Sequence, residues 1–502
     1  MTATARSDHA SARRYRFPPL IRTGLFGSMP TSQVVVLGVG AALSFAGMML
    51  QLFPWALVPL LVAAVIGFKR VDGGPLHELL PLRAAWIIGR RKRRHLWFRT
   101  VPLLTPGERP RCELPPPMES IELLDVDASW VVVPGRLSGV AVVHDRANGL
   151  LTGVLRATGD GQFSLAGAAE QDSRVALWGD ALAAFCRERA TVSRIVWQEW
   201  SSTGAIDAEL ALGDGAVSVA SQDYEDLLLR AAPRSVVHET LLSISVDLGA
   251  LPHRRGRLDA VSHGLQLLVE ELRLLTVRLE GAGLLVDPPL SPAELTAAVR
   301  RRSAPFAQSA ADALQRTLSA GLGVSTGDLV PMAVAEEWEH VRVDGAVHRS
   351  WWVEGWPRLE VPAAWMDLLL LGGFCTRTVT VIFEPIAPSQ AARAVDEAAV
   401  ALESAEASKS KRGFRVRATD RRAREEVERR ENELVAGFGD LSYCGLVCVA
   451  ARSLDEMDDA SADFEQSAGH AGVQLRALEG RHGLGWVASL PLGRSVVGTV
   501  RR

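Results

Sequence analysis

Between Arg22 and Lys69 the chain runs for 46 residues without a formal charge, and from Val34 to Phe68 its only polar side chains are Ser44 and Gln51. A run of that length must be hidden from water, in a bilayer or in protein. One straight helix would be about twice what a ~30 Å hydrocarbon core requires, and Pro54 offers a place to turn. The expectation is a two-helix transmembrane hairpin over residues 33–68. Its first span is 33–50; the second, 55–68, is short enough to thin the bilayer or lean on a partner. A buried hairpin in a soluble protein and a cleaved signal peptide are the alternatives. The cations on both sides argue against the first, and a signal would be shorter and followed by a cleavage site.

Those cations set the expected orientation. Arg13, Arg14, Arg16 and Arg22 lie in the cytoplasmic segment 1–32; Lys69, Arg70, Arg83 and the run Arg90, Arg91, Lys92, Arg93, Arg94 lie in a basic juxtamembrane segment and Pro-rich linker, 69–117. Cations beside a span stay inside, so both termini and the body are expected in the cytoplasm, with the chain a multi-pass protein of the cell membrane. The first hundred residues hold 14 basic and three acidic side chains, which leaves 41 and 55 for the remainder. A cationic head thus precedes an acidic body. Residues 79–100, with Trp86, Trp97 and Phe98 among arginines, read as an interfacial helix on anionic lipid, with Arg90–Arg94 as the membrane-surface group. Nucleic acid is the other anion that such a run can meet. On the first span Gly40, Ser44 and Gly47 share one face, a small-residue stripe suited to helix packing, either within the hairpin or between copies.

Several chemistries are excluded or weakened by residue type. Four lysines stand beside 51 arginines and none follows glycine, so there is no Walker A loop. Five cysteines without CxxC spacing suit a reduced compartment and no metal site. Gly323 to Gly327 spells GxSxG with Ser325 as its nucleophile, but no strand precedes it. His238-Glu239 lacks the second histidine of a zinc motif, and Asp344-Gly345 would pair His348 with Val341, sending His340 and His348 to opposite faces. Asp455, Glu456, Asp458 and Asp459 sit at a helix start, where they complement the dipole. No catalytic residue, cofactor or metal is assigned.

The body reads as α+β. A first domain, 118–234, carries strands at 130–133, 139–144, 151–158 and 195–200 around a helix at 171–189. A second, 235–502, opens with strict alternation at Leu242, Ile244, Val246 and Leu248, then a long helix at 258–280. A helix start follows at Ser291-Pro292-Ala293-Glu294, and then a hairpin about Asp344-Gly345. Trp351, Trp352 and Trp356 cluster on the hairpin and its exit, either as sheet packing or as possible partner contacts at Trp351 and Trp352. A strand at 379–383 precedes a long helical pair, 389–437, broken around 408–413. Strand, helix, strand, strand at 441–450, 453–469, 473–478 and 485–491 then suggest split βαβ, ferredoxin-like units.

Two sets of motifs carry a family resemblance. Arg16-Phe17-Pro18-Pro19 ahead of a two-span hairpin resembles the small PrgI-type membrane subunits of type IV secretion systems. The body is similar to the non-motor, amino-terminal part of TrbE-class ATPases of the same systems. It matches best at Glu431-Asn432-Glu433-Leu434-Val435-Ala436-Gly437, at the strand that follows, and at Ser489-Leu490-Pro491-Leu492-Gly493-Arg494, which is like the segment ahead of that family's motor. The resemblance implies a membrane-anchored scaffold, not an enzyme, in an oligomeric complex for conjugation or protein transfer, with a P-loop secretion ATPase supplied in trans and nucleic acid met only indirectly. The Arg-rich composition is similar to that of actinobacterial proteins. The rival readings are a membrane-associated serine hydrolase using Ser325 and a lipid- or nucleic-acid-binding membrane protein.

Overall fold

The computed structural model describes residues 15, 17, 31–51, 55–71, 74–99, 114–127, 139–203, 236–251, 257–307, 326–372, 375–411 and 418–496. They form a mixed helix-and-sheet chain of two units, one drawn from residues 1–17, 96–391 and 434–502, the other from 18–95 and 392–433.

In the second unit, helix α1 (Thr31–Met49) ends at Gln51, which takes a left-handed conformation with φ 55°. A 3-10 turn at Trp55–Leu57 leads into α2 (Val58–Phe68), and α3 (Leu76–Arg91) follows. Among the described residues α1 is the one helix long and apolar enough to cross a membrane. The interfacial helix expected through residue 100 stops instead at Arg91. Arg93 is left-handed at φ 53°, and Leu96-Trp97-Phe98 forms strand β1 (Leu96–Phe98), whose Trp97 packs against the body's core.

The other unit is built on one antiparallel sheet. After β1 its strands are β2 (Ile121–Val126), β3 (Val140–Asp145), β4 (Leu150–Thr158), β5 (Val192–Thr203), β6 (Val236–Asp247), β7 (Leu285–Val286), β8 (Ala333–Glu336), β9 (Val341–Val343), β10 (Ala346–Gly355), β11 (Thr376–Ile386), β12 (Asp440–Ala451) and β13 (Gln474–Ala477). The path runs β1-β8-β9-β10-β12-β11-β5-β6-β4-β3-β2, with β13 paired to β10 and β7 to β4. A pattern repeats along it. Helix α4 (Ala168–Ala183) joins β4 to β5, which flank β6; α5 (Arg257–Gly281) joins β6 to β7, which flank β4. Later, α10 (Leu454–His470) joins β12 to β13, which flank β10.

Both faces of this sheet are covered. Ala141, Val143 and Leu241 face a core formed with α6 (Pro292–Ser303) and α11 (His482–Ala488); Val140, Val142, Leu242, Ile244 and Val246 project the other way, onto α4 and α5. Helix α10 continues that second layer over β10 and β12. The period of two thus separates two cores, one on each face of the sheet. The remaining helices are the short α7 (Asp367–Leu370) and the pair α8 (Pro388–Lys411) and α9 (Ala418–Val435). Within the pair, Arg424 reaches both Glu428 on its own helix and Glu406 on the other.

Local chemistry accounts for the element ends. Ser291 and Glu294 form a reciprocal capping box at α6. Asp344 and Gly345, at φ 47° and 89°, make the two-residue turn that sets Val341 opposite His348. Gly437, at φ 89°, turns the chain after α9.

Three expectations need correction. The boundary between 118–234 and 235–502 falls between β5 and β6, which pair along their full length, so it cuts one sheet rather than separating two domains. The expected strand at 485–491 is α11 and its exit, because a short apolar run buried on all sides has no period to distinguish it. Residues 114–117, expected in the linker, belong to the body: Leu114 packs against its core and Pro115 is buried. The strand expected at 130–133 lies outside the described residues.

Leu272 on α5 is fully buried against the sheet, while Val277 on the same helix is 58% exposed. Leu272→Ala should lower stability by about 2–5 kcal/mol and Val277→Ala by less than about 0.5 kcal/mol, as read from urea unfolding of the full chain by circular dichroism.

Candidate functional site

The head and the body each hold a set of residues with a chemical purpose. In the head, the small-residue stripe of α1 packs on α2. A β-carbon at Gly40 would collide with Ala63, and one at Gly47 would lie 3.3 Å from the Ala56 backbone. The Leu60 amide, in the first turn of α2 where helix donors have no partner, donates to Ser44 Oγ at 3.0 Å. At the other end of α2, the Gln33 side-chain amide donates to the Gly67 carbonyl at 3.0 Å. Ser44 and Gln33 therefore satisfy backbone groups at the two ends of α2.

Arg90, Arg91, Lys92, Arg93 and Arg94 are all exposed, at the end of α3 and in the turn that follows. The Arg90 guanidinium lies 5.1 Å from the centre of the Trp86 ring. They form a continuous cationic group.

The tryptophans are placed differently from the expectation of a partner-facing pair. Trp351 is 1% exposed, packed among Val353, Val447 and Phe464, and its indole donates to Glu465 at 2.9 Å. Trp352 points to the opposite face and is half-buried against Leu446, Leu478 and Ala488. Trp351 is therefore a core residue, while Trp352 keeps part of its surface exposed.

Catalytic constellations fare no better. Ser325 lies outside the described residues. Ser201 Oγ and Glu199 Oε1 both approach His238 at 3.1 Å, but on the same nitrogen, Nδ1. A serine–histidine–carboxylate relay needs the two on opposite ring nitrogens. Among the described residues no group of three metal-ligating side chains converges. Burial pushes the Cys448 and Cys375 thiols up, away from the reactive thiolate. Asp458, of the acidic helix start, pairs with Arg349 at 2.9 Å.

The sequence reading missed a polar stripe beneath Ser489-Leu490-Pro491-Leu492-Gly493-Arg494. Gln198, fully buried on β5, donates to the carbonyls of Ala488 (3.2 Å) and Leu490 (3.0 Å), and Arg194 donates to the Gly493 carbonyl at 2.7 Å. Thr152 and Ser245 meet at 2.8 Å, where a β-carbon on Gly493 would strike them. Arg494 then pairs with Asp145 at 3.2 Å. Nearby strands share a second network, in which Glu239 holds Arg156 (2.9 Å), Arg302 (2.9 Å) and Arg301 (3.2 Å). Burial would raise the Glu239 carboxyl, and the three guanidiniums outweigh it, so it lies below its ordinary value. Arg302, buried with it, is pushed down to about 10. The only sequence signal was polar residues recurring at alternate positions of apolar strands.

No family model matches the chain, and neither does any curated protein.

Two buried histidines make the body sensitive to acid. His348 is held at about 4 by burial, with Nε2 on the Ser303 carbonyl at 2.8 Å; His482 is held at about 3 by burial, its Nδ1 accepting from the Ser350 amide at 3.0 Å. Both lie below the ordinary 6.5, so the unfolded chain binds these protons first and stability is lost as pH falls from 6.5 towards 4. His348→Gln should reduce that slope by up to about 1.4 kcal/mol per pH unit, measured by unfolding between pH 6.5 and 5. An unchanged slope would contradict the assignment.

Proposed function

We propose that the chain is a membrane-anchored scaffold of a type IV secretion-like transfer system. In this reading residues 33–68 cross the bilayer as a hairpin, both termini and the body are cytoplasmic, and a separate P-loop ATPase docks on the body.

The observation that carries it is the uncovered apolar surface of the head. Only 11% of the 18-residue window Ser32–Met49 is buried, and Val35, Val39, Leu43, Phe45, Leu61 and Val65 project outward. Apolar surface costs about 25 cal/mol per Å² in water, and a continuous apolar patch on this scale marks a membrane or partner surface. The cross-helix bonds of Ser44 and Gln33 suit a medium without water to take their place. The exposed cations at Arg90–Arg94 favour retention on the cytoplasmic side and contact with anionic lipid.

The body supports the second half. Its strand order β5-β6-β4-β7, with α4 and α5 as crossovers, corresponds to a ferredoxin-like βαββαβ unit. The order β13-β10-β12-β11 repeats it, with the α8–α9 pair inserted between its second and third strands. Two such units side by side, joined through β5 and β11, agree with the resemblance to the non-motor part of TrbE-class ATPases. A motor supplied in trans is the partner that this resemblance implies, within an oligomeric complex that meets nucleic acid only indirectly.

A phosphatase reporter fused after Arg502 should stay inactive, and the tagged chain extracted in mild detergent should co-purify with a P-loop ATPase while showing no ATP turnover when freed of it. An active reporter would reverse the topology. Turnover by the pure chain would remove the need for a motor in trans.

A further inference from the structure

Phe17 has a receiving site on the body. Phe17 stacks on Trp356 with ring centres 5.3 Å apart and an interplanar angle of 16°, and meets Trp365 edge-on at 5.2 Å and Tyr443 at 6.3 Å. Trp356 in turn lies 6.2 Å from Trp365 and 5.4 Å from Tyr443, both edge-on. Such offset and edge geometries are the favourable ones for aromatic pairs. Two residues earlier, Tyr15 forms a reciprocal backbone bridge with Val361, at 2.8 and 2.9 Å, and its hydroxyl donates to Asp172 at 3.0 Å.

The receiving surface is built by distant parts of the body. Trp356 follows β10, Trp365 precedes α7, Tyr443 lies on β12, and Phe464 of α10 with Val447 and Leu475 lines the apolar cavity that Trp356 and Trp365 wall. Gly445 is part of the construction. A β-carbon there would come within 2.9 Å of the Trp356 ring, so glycine lets that ring lie flat across β12. Residues 15 and 17 supply an extended ligand: one backbone bridge outside the main sheet, one hydroxyl, one ring. Recognition by strand pairing plus alternate side-chain pockets is a general mode of peptide binding.

We propose that this cleft is a recognition site for an extended Tyr-x-Phe segment, filled by the chain's own Tyr15 and Phe17 as a displaceable intramolecular ligand. Phe17 is the specificity determinant, and Tyr15 sets the register through Val361 and Asp172. The segment is joined covalently to the body that it occupies. A tethered ligand acts at an effective concentration of ~1 mM, which keeps a site of ~10–100 μM intrinsic affinity filled and weakens any competitor about ten- to a hundredfold.

The test uses the full chain in detergent and a fluorescent peptide of residues 9–22. The Phe17→Ala chain, its circular dichroism unchanged, should bind the peptide saturably, and the unaltered chain should bind it at least tenfold more weakly. The peptide carrying Phe17→Ala has the same charge and should bind the Phe17→Ala chain at least tenfold more weakly than the native peptide; a Trp356→Ala substitution added to that chain should also abolish binding. Equal affinity of the two chains, equal affinity of the two peptides, or no saturable binding to the Phe17→Ala chain would each overturn the proposal.

Discussion

Both faces of the antiparallel sheet are covered, so polar side chains projecting from its middle must find their partners inside the protein. Gln198, Thr152 and Ser245 have almost no contact with solvent. The Ala488 and Leu490 carbonyls accept from Gln198, while Thr152 and Ser245 bond each other beneath Gly493. The stretch 489–494 therefore has a fixed course across the sheet. The Glu239 network follows the same rule on a charged scale: a carboxylate drawn out of water is accompanied by three guanidiniums, tying β4, β6 and α6 together. Removing one member of such a network leaves a buried charge, which is far costlier than losing an exposed pair. His348 and His482 complete the pattern: burial holds both neutral, and each has a ring nitrogen bonded to the backbone.

The head applies this constraint with fewer means. Its apolar run holds almost no polar side chains, and Ser44, with Gln33 just before the run, goes to the ends of α2, where a helix leaves backbone groups unpaired. Ser44 takes the Leu60 amide and Gln33 gives to the Gly67 carbonyl. Gly40 and Gly47 let the two backbones approach closely enough for both bonds. The outward surface has no such provision, being apolar throughout, and this asymmetry is what a lipid environment accommodates.

Elements set by short-range chemistry were readable from the sequence. The Ser291 capping box, the Asp344-Gly345 turn and the long α5 each follow from a few neighbouring residues or a sustained period. Elements set by remote cover were not. Residues 482–488 become α11 because β10 and β12 lie beneath them, and a seven-residue stretch with only four apolar side chains beside His482 and two glycines carries no period that distinguishes a helix from a strand. The continuity of β5 with β6 has no local signal because 32 residues separate them, and the choice between sheet packing and partner contact for Trp351 is set by remote residues such as Phe464 and Val447. The aromatic cleft had the faintest signal: Trp356, Trp365 and Tyr443 are scattered over almost ninety positions and meet only through the fold. Phe17 was noticed as part of a motif, without its receiving site.

The membrane reading of the head can be tested most directly by nitroxide labels at positions 35, 39 and 43 in the full chain reconstituted in lipid vesicles, comparing relaxation by oxygen with relaxation by a water-soluble nickel chelate. A head embedded in the bilayer predicts strong relaxation by oxygen and little by nickel at all three positions, which are exposed on α1. Strong relaxation by nickel would place them in water, and weak relaxation by both would bury them in protein; either result would contradict the anchored scaffold.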